Sequence, residues 1–195
     1  MSLKDLEIKN EYRSKITDVV SNFFVPVLGE SCSYKRSVGF FSSSSLIEVS
    51  KGICSLAKRG GTIKLVTSPC LSDEDVEAIK NGYKEREEVI KNALIRELKE
   101  PNNELESARL ALLADLIAIG TLDIKVAVID NGIGIYHEKL GLMEDRYDNI
   151  VAFSGLFSWL ITHLLVGRRA ETCDKFLTAL EKNNGSRIMI YSGTV

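Results

Sequence analysis

Thr62-Ile63-Lys64-Leu65-Val66-Thr67-Ser68 is the segment on which the architecture turns. It is rich in β-branched residues, preceded by Gly60-Gly61 and followed by Pro69, and this combination predicts a buried strand. On its amino-terminal side, Leu46 to Leu56 read as a helix with the serines at 42–45 available as N-caps, and Arg36 to Phe41 read as a short strand. On its carboxyl side, Ser72-Asp73-Glu74-Asp75 is a helix-start signature, opening a long, heavily charged helix to about Glu100 that reads as a solvated outer helix. Pro101-Asn102-Asn103 breaks the chain, Leu105 to Ile119 forms an apolar helix closed by Gly120, and Leu122 to Ile129 reads as a strand central in a sheet. The turn Asp130-Asn131-Gly132-Ile133-Gly134 predicts a tight β-β connection to the next strand, and a further strand runs from Ile150 to Phe153. At the front, Ile16, Val19, Val20, Phe23, Phe24 and Val27 recur at helical spacing from Tyr12 to about Leu28, with Pro26 and Gly29 as terminators. Strands separated by helices in this order indicate an α/β fold, one mixed β-sheet flanked by helices on both faces, in a single domain over residues 1–195.

Composition sets bounds on function. With 45% hydrophobic and 27% charged residues, a chain of 195 can bury one core of good size. Its 25 Lys+Arg against 27 Asp+Glu leave a net charge of -2, which argues against a nonspecific nucleic-acid coat protein while permitting a local basic groove. Cys32, Cys54, Cys70 and Cys173 show no C-x-x-C spacing, so they read as reduced, mostly buried thiols and neither a metal site nor a cofactor is expected. The first ten residues lack the apolar core of a secretory signal and no charge-free stretch is long enough to span a bilayer, so the expected location is cytoplasmic.

The chemistry lies in Tyr136-His137-Glu138-Lys139-Leu140-Gly141-Leu142-Met143-Glu144-Asp145. In a strand, residues two apart share a face, so His137 and Lys139 are expected side by side with Glu138 turned away. A histidine can attack phosphorus or shuttle protons near neutral pH, and a lysine beside it supplies fixed positive charge for phosphoryl oxygens. Glu144 or Asp145 could hold a ring nitrogen of the histidine in one tautomer. Set against this, an H-x-K pair in a strand is common by chance.

His137, Lys139 and Glu144 in the acidic slot resemble the H-x-K-x4-D signature of the phospholipase D-like superfamily. The segments Tyr34 to Ser43, Gly132 to Asp145 and Val151-Ala152-Phe153-Ser154-Gly155 resemble, more narrowly, the phospholipase D-like domain at the front of some bacterial DEAD/DEAH-type helicases and restriction-associated proteins. The similarity runs from about Tyr12 to Gly155. It implies an α/β sandwich, metal-independent phosphodiester cleavage through a phosphohistidine, DNA as substrate and a helicase as companion. That family's pattern continues as G-S-x-N, whereas this chain reads Ser154-Gly155-Leu156-Phe157-Ser158. The departure admits a non-enzymatic alternative, a dimerising domain that positions nucleic acid without turnover.

The mechanism so implied needs two histidines and this chain offers one copy of the motif, since His163 sits in an apolar run and reads as a packed residue. An isologous homodimer would supply the second His137 and Lys139. Ser42, Ser43 and Ser154 are possible phosphate-binding residues, although helix capping explains the serine run at 42–45 equally well. Lys35-Arg36 and Lys58-Arg59 read as solvent-facing basic pairs. Beyond Gly155 the resemblance ends. The apolar run from Leu156 to Val166 reads as core or subunit interface, Cys173 to Lys182 as an amphipathic helix, and Arg187 to Tyr191 as a last strand.

Overall fold

A computed structural model describes residues 1–39, 43–68, 92, 95, 103–129, 139–156, 159–165 and 188–191 of the chain. Ser2 caps a short 3-10 turn, Leu3–Asp5, accepting from the Lys4 N–H while Asp5 accepts from the Ser2 N–H. Strand β1 (Glu11–Arg13) follows, so the helix expected from Tyr12 begins later than its apolar spacing predicts. Its first part is a π-turn, Val20–Phe24, that runs into α1 (Val25–Glu30). Pro26 stands in the first turn of α1 instead of ending the helix. Proline has no N–H to give and its ring crowds the carbonyl four residues back, and the wider turn, in which the Val25 N–H reaches Val20 C=O, makes room for it.

The remaining elements are β2 (Ser33–Val38), α2 (Ser43–Glu48), α3 (Ser50–Lys58), β3 (Thr62–Thr67), α4 (Glu104–Ala118), β4 (Leu122–Ile129), β5 (Leu140–Glu144), β6 (Ile150–Leu156), β7 (Trp159–Leu165) and β8 (Ile188–Tyr191). The strand predicted over residues 62–68 is β3, nearly residue for residue. The single helix expected from Leu46 is two, interrupted at Val49 (φ -92°, ψ 6°). α4 starts where the sequence predicts, with Asn103 Oδ1 accepting from the Glu106 N–H at 2.9 Å. Of the charged helix expected up to about Glu100, Asn92 and Ile95 are described, both helical and exposed; the helix expected over Cys173 to Lys182 lies outside the described residues.

The strands form one sheet in the order β1-β7-β6-β5-β2-β3-β4-β8. β2, β3 and β4 run parallel, and every other pairing is antiparallel. This is an α/β fold with a mixed sheet, as the sequence predicts. Two topological expectations fail. β4 and β5 are not a hairpin: β4 lies between β3 and β8, and β5 lies between β2 and β6. β4 is also one strand from the edge, because β8 alone flanks it on that side.

Register assigns the faces. Tyr34, Ile63, Leu122, Met143 and Val151 lie in one row across the sheet, and the pleat puts Arg36, Leu65 and Phe153 on the same side. This first face packs against the buried residues of the π-turn and the helices, including Phe23, Phe24, Val27, Leu28, Ile53, Leu56, Leu113 and Leu116, in one cluster. Phe23 and Phe24 meet Phe153 edge to face, at 5.3 and 5.5 Å between centroids. On the second face Ser37, Val66, Ala127, Leu142 and Ile150 are buried as well, outside that cluster. The described helices contribute their buried side chains to the first face. None of them is long and apolar enough to cross a membrane.

Candidate functional site

The carboxyl ends of the parallel strands β2, β3 and β4 define one edge of the sheet, where open α/β sheets bind their ligands. Because β5 is antiparallel to β2 and β6 to β5, this edge also holds the start of β5 and the end of β6. Lys139 lies there, immediately before β5, and its carbonyl accepts from the Gly155 N–H at 2.8 Å. The Gly155 carbonyl in turn accepts from Arg36 Nη2 at 2.9 Å. Gly155 has φ +116°, a conformation open to residues without a Cβ, so the residue that joins Lys139 to Arg36 is held by its glycine.

Arg36 overturns a sequence expectation. Read with Lys35 as a solvent-facing pair, it is instead 5% exposed, because adjacent strand residues point to opposite faces and Arg36 falls on the core side. Its position is built by a row of three residues: Arg36 pairs with Gly141, and Gly141 with Phe153. A Cβ at Gly141 would lie 2.1 Å from Phe153 Cζ, so the absent side chain is what lets the ring cover that strand. The guanidinium carbon then stands 4.8 Å from the ring centroid, a cation-π contact. Among the described residues no carboxylate pairs with Arg36, and Nη1 is buried with no acceptor. Burial pushes the pKa of Arg36 down and that of Tyr34, two residues away on the same face, up. Thr67 at the end of β3 is fully buried, and its Oγ1 likewise has no partner.

The residues singled out in the sequence are spread over both edges of the sheet. His137 and Ser42 lie outside the described residues. Ser43 is the first residue of α2, the helix that follows β2. Lys139 and Ser154 share the carboxyl edge, but Ser154 pairs with Leu140 and is exposed on the second face, away from Arg36 and Phe153. Glu144 closes β5 at the opposite edge, paired with Ser33 and Ile150. Five residues of extended chain put its Cα about 16 Å from that of Lys139. The structure therefore does not bring Glu144 and Lys139 together.

Asp145, the other acidic residue considered as a partner for the histidine, is committed elsewhere. It is 3% exposed and accepts from Ser2 Oγ, Asn149 Nδ2 and the backbone N–H groups of Leu3, Tyr147 and Asn149, all between 2.8 and 3.0 Å. Burial alone would raise its pKa, but hydrogen bonds from Asn149, Ser2 and Leu3 outweigh that and hold it at about 2. Arg59 is a structural tie as well, reaching Glu30 at 3.3 Å and the Ser31 carbonyl at 3.1 Å. Cys32 and Cys54 are free and half-buried, and no cluster of three or more metal-ligating side chains occurs among the described residues.

Sequence reasoning missed Arg36 and Thr67. The signal for Arg36 was present, since a two-residue period through Tyr34-Lys35-Arg36-Ser37-Val38 cannot leave both basic residues facing water when one face is core. Thr67 carried no such signal. No family model matches the sequence, and no curated protein shows significant similarity to it.

Proposed function

We propose that this chain is a phosphodiester-handling module of the phospholipase D-like type, a sandwich with one H-x-K motif, acting on DNA beside a helicase or restriction system. In this reading His137 attacks phosphorus, Lys139 neutralises the phosphoryl oxygens, and an isologous homodimer brings two copies of each to a shared site without a metal. The observation that carries it is the double engagement of Gly155, whose N–H meets the Lys139 carbonyl and whose carbonyl meets the Arg36 guanidinium. That residue ties a buried cation to the strand end bearing the lysine, at the edge of the sheet suited to ligands. Glu144 has no catalytic part in it.

One observation favours a second reading, a module that binds and positions DNA without cutting it. Where the family's pattern has a small-residue turn leading to an asparagine, β6 continues through Leu156 and pairs with β7 there. Both readings are tested with labelled single- and double-stranded DNA in the presence of EDTA. Cleavage that is lost in Lys139→Ala, with a trapped phosphohistidine at His137, is the expected result for the enzyme. Mixing His137→Ala with wild-type chains should then depress activity below the wild-type fraction if the site is shared. Binding without cleavage assigns the positioning role, and absence of both sinks the phosphodiester reading.

A further inference from the structure

We infer that Arg36 is a positioning residue for Lys139, acting through the carbonyl of Gly155 to set the strand end from which the lysine meets a phosphate. The inference rests on the phosphodiester reading above and adds to it a residue that touches no substrate. Arg36 departs from the pattern of its surroundings. Its neighbours on the same face, Ile63, Leu65, Met143 and Val151, are buried and apolar. A cation set among them, with no carboxylate paired to it among the described residues, costs stability that a hydrophobic side chain of similar volume would not. Departures of this kind collect where function requires them.

The guanidinium grips β6 twice. Its carbon stands 4.8 Å from the Phe153 ring centroid, and Nη2 donates to the carbonyl of Gly155, two residues on, at 2.9 Å. Gly155 has φ +116°, and its N–H reaches the Lys139 carbonyl at 2.8 Å. The two peptide units that meet at this glycine are therefore held by different partners, one by the main chain of the lysine and the other by the arginine. Lys139 lies two residues before Gly141, the residue paired with Arg36, so alternation puts it on the face that carries the arginine. The two Cα atoms stand about 7–8 Å apart, as diagonal neighbours on adjacent strands do. Without the guanidinium the Gly155 carbonyl loses this donor, and a glycine has no side chain of its own to hold so unusual a backbone in place. The origin of the lysine then shifts, and a shift of about 1 Å at a reacting centre can cost about 100-fold.

The test is a double-variant cycle on the full chain, read by the binding of labelled single- and double-stranded DNA over a range of salt concentrations in EDTA, and by cleavage where it occurs. Lys139→Ala should weaken binding about tenfold and flatten the slope of log affinity against log salt by about one, the mark of one lost phosphate contact. Arg36→Met should do the same although the arginine is buried, while melting no lower than wild type. In the double variant the arginine change should add less than about twofold and leave the slope where Lys139→Ala put it. Arg36→Lys, which keeps a donor for the Gly155 carbonyl, should recover part of the loss. Should the methionine variant not fold, Arg36→Lys takes its place in the cycle, with a smaller loss that likewise disappears beside Lys139→Ala. Losses that add, with a slope down by about two in the double variant, would make Arg36 a phosphate contact in its own right. A lower melting temperature at unchanged slope would make it a packing residue. Either result overturns the inference and leaves the phosphodiester reading standing, whereas a wild type that neither binds nor cuts DNA ends both.

Discussion

The absence of a side chain at Gly141 positions more chemistry than most side chains in the molecule. Phe153 covers that strand and is fixed from behind by edge-to-face contacts with Phe23 and Phe24, so it cannot retreat from an added methyl group. Gly141→Ala should therefore cost about 2–3 kcal/mol, as forced overpacking does. Chemical denaturation would read this as a lower midpoint at unchanged slope, and Phe153→Leu in the same chain should restore part of the loss. A glycine variant as stable as wild type would show that the Arg36-Phe153 stack is looser than described. None of this was legible in Leu140-Gly141-Leu142, because the partner that needs the space lies on the next strand, twelve residues away in sequence. Arg36 was legible in principle, through strand alternation, and was passed over because neighbouring basic residues are so often solvated.

At the scale of elements, the turn between β5 and β6 shows how a chemical motif can be confused with a structural one. Asp145-Arg146-Tyr147-Asp148-Asn149 begins one residue past the acidic slot of the H-x-K-x4-D pattern, and its aspartate can be read as a partner for the histidine, yet the segment is an Asx turn: Asp145 Oδ1 accepts from the Tyr147 and Asn149 N–H groups, and the Asp145 N–H meets the Asn149 carbonyl. Asp148 takes the one positive φ among the described non-glycine residues, 60°. Aspartate tolerates this better than most residues, which leaves a small strain in the turn. Asp148→Gly should be neutral or stabilising by up to about 1 kcal/mol, and Asp148→Ala should lose about 1 kcal/mol. If urea midpoints rank alanine above glycine, the turn does not hold the left-handed conformation in solution. Individual elements such as β3, α4, β6 and β8 were readable from propensity and punctuation, since each is specified by its own residues. The division of the first helix was not, because it depends on how Pro26 is accommodated and on Tyr12 pairing with Leu160 in β7.

Adjacency across the whole molecule was the least legible level, as the sequence places β4 next to β5 while β2 and β3 stand between them. The same long-range closure appears at the edge opposite the candidate site, where Ser2 and Leu3 are bound by the carboxylate of Asp145. This contact ties the first turn of the chain to the strands that carry Lys139 and Gly155, and it depends on the charge. In the unfolded chain the carboxyl titrates near its ordinary value of 3.8, and in the folded protein at about 2. A depressed folded value means that the stabilisation is complete above the unfolded pKa and disappears as pH falls through the folded one. At roughly 1.4 kcal/mol for each pH unit between them, the carboxylate contributes about 2.5 kcal/mol at neutral pH, of which about 1 kcal/mol is gone by pH 3. Asp145→Asn presents an amide donor where the carboxylate accepted, so it should lose about 3 kcal/mol at pH 7 and show no further loss from this group at pH 3. Urea denaturation of both proteins at the two pH values measures the difference directly. Parallel pH dependence in the two would mean that the N-terminal turn is held by something other than this charge, and that the acidic residue after β5 is free for another use.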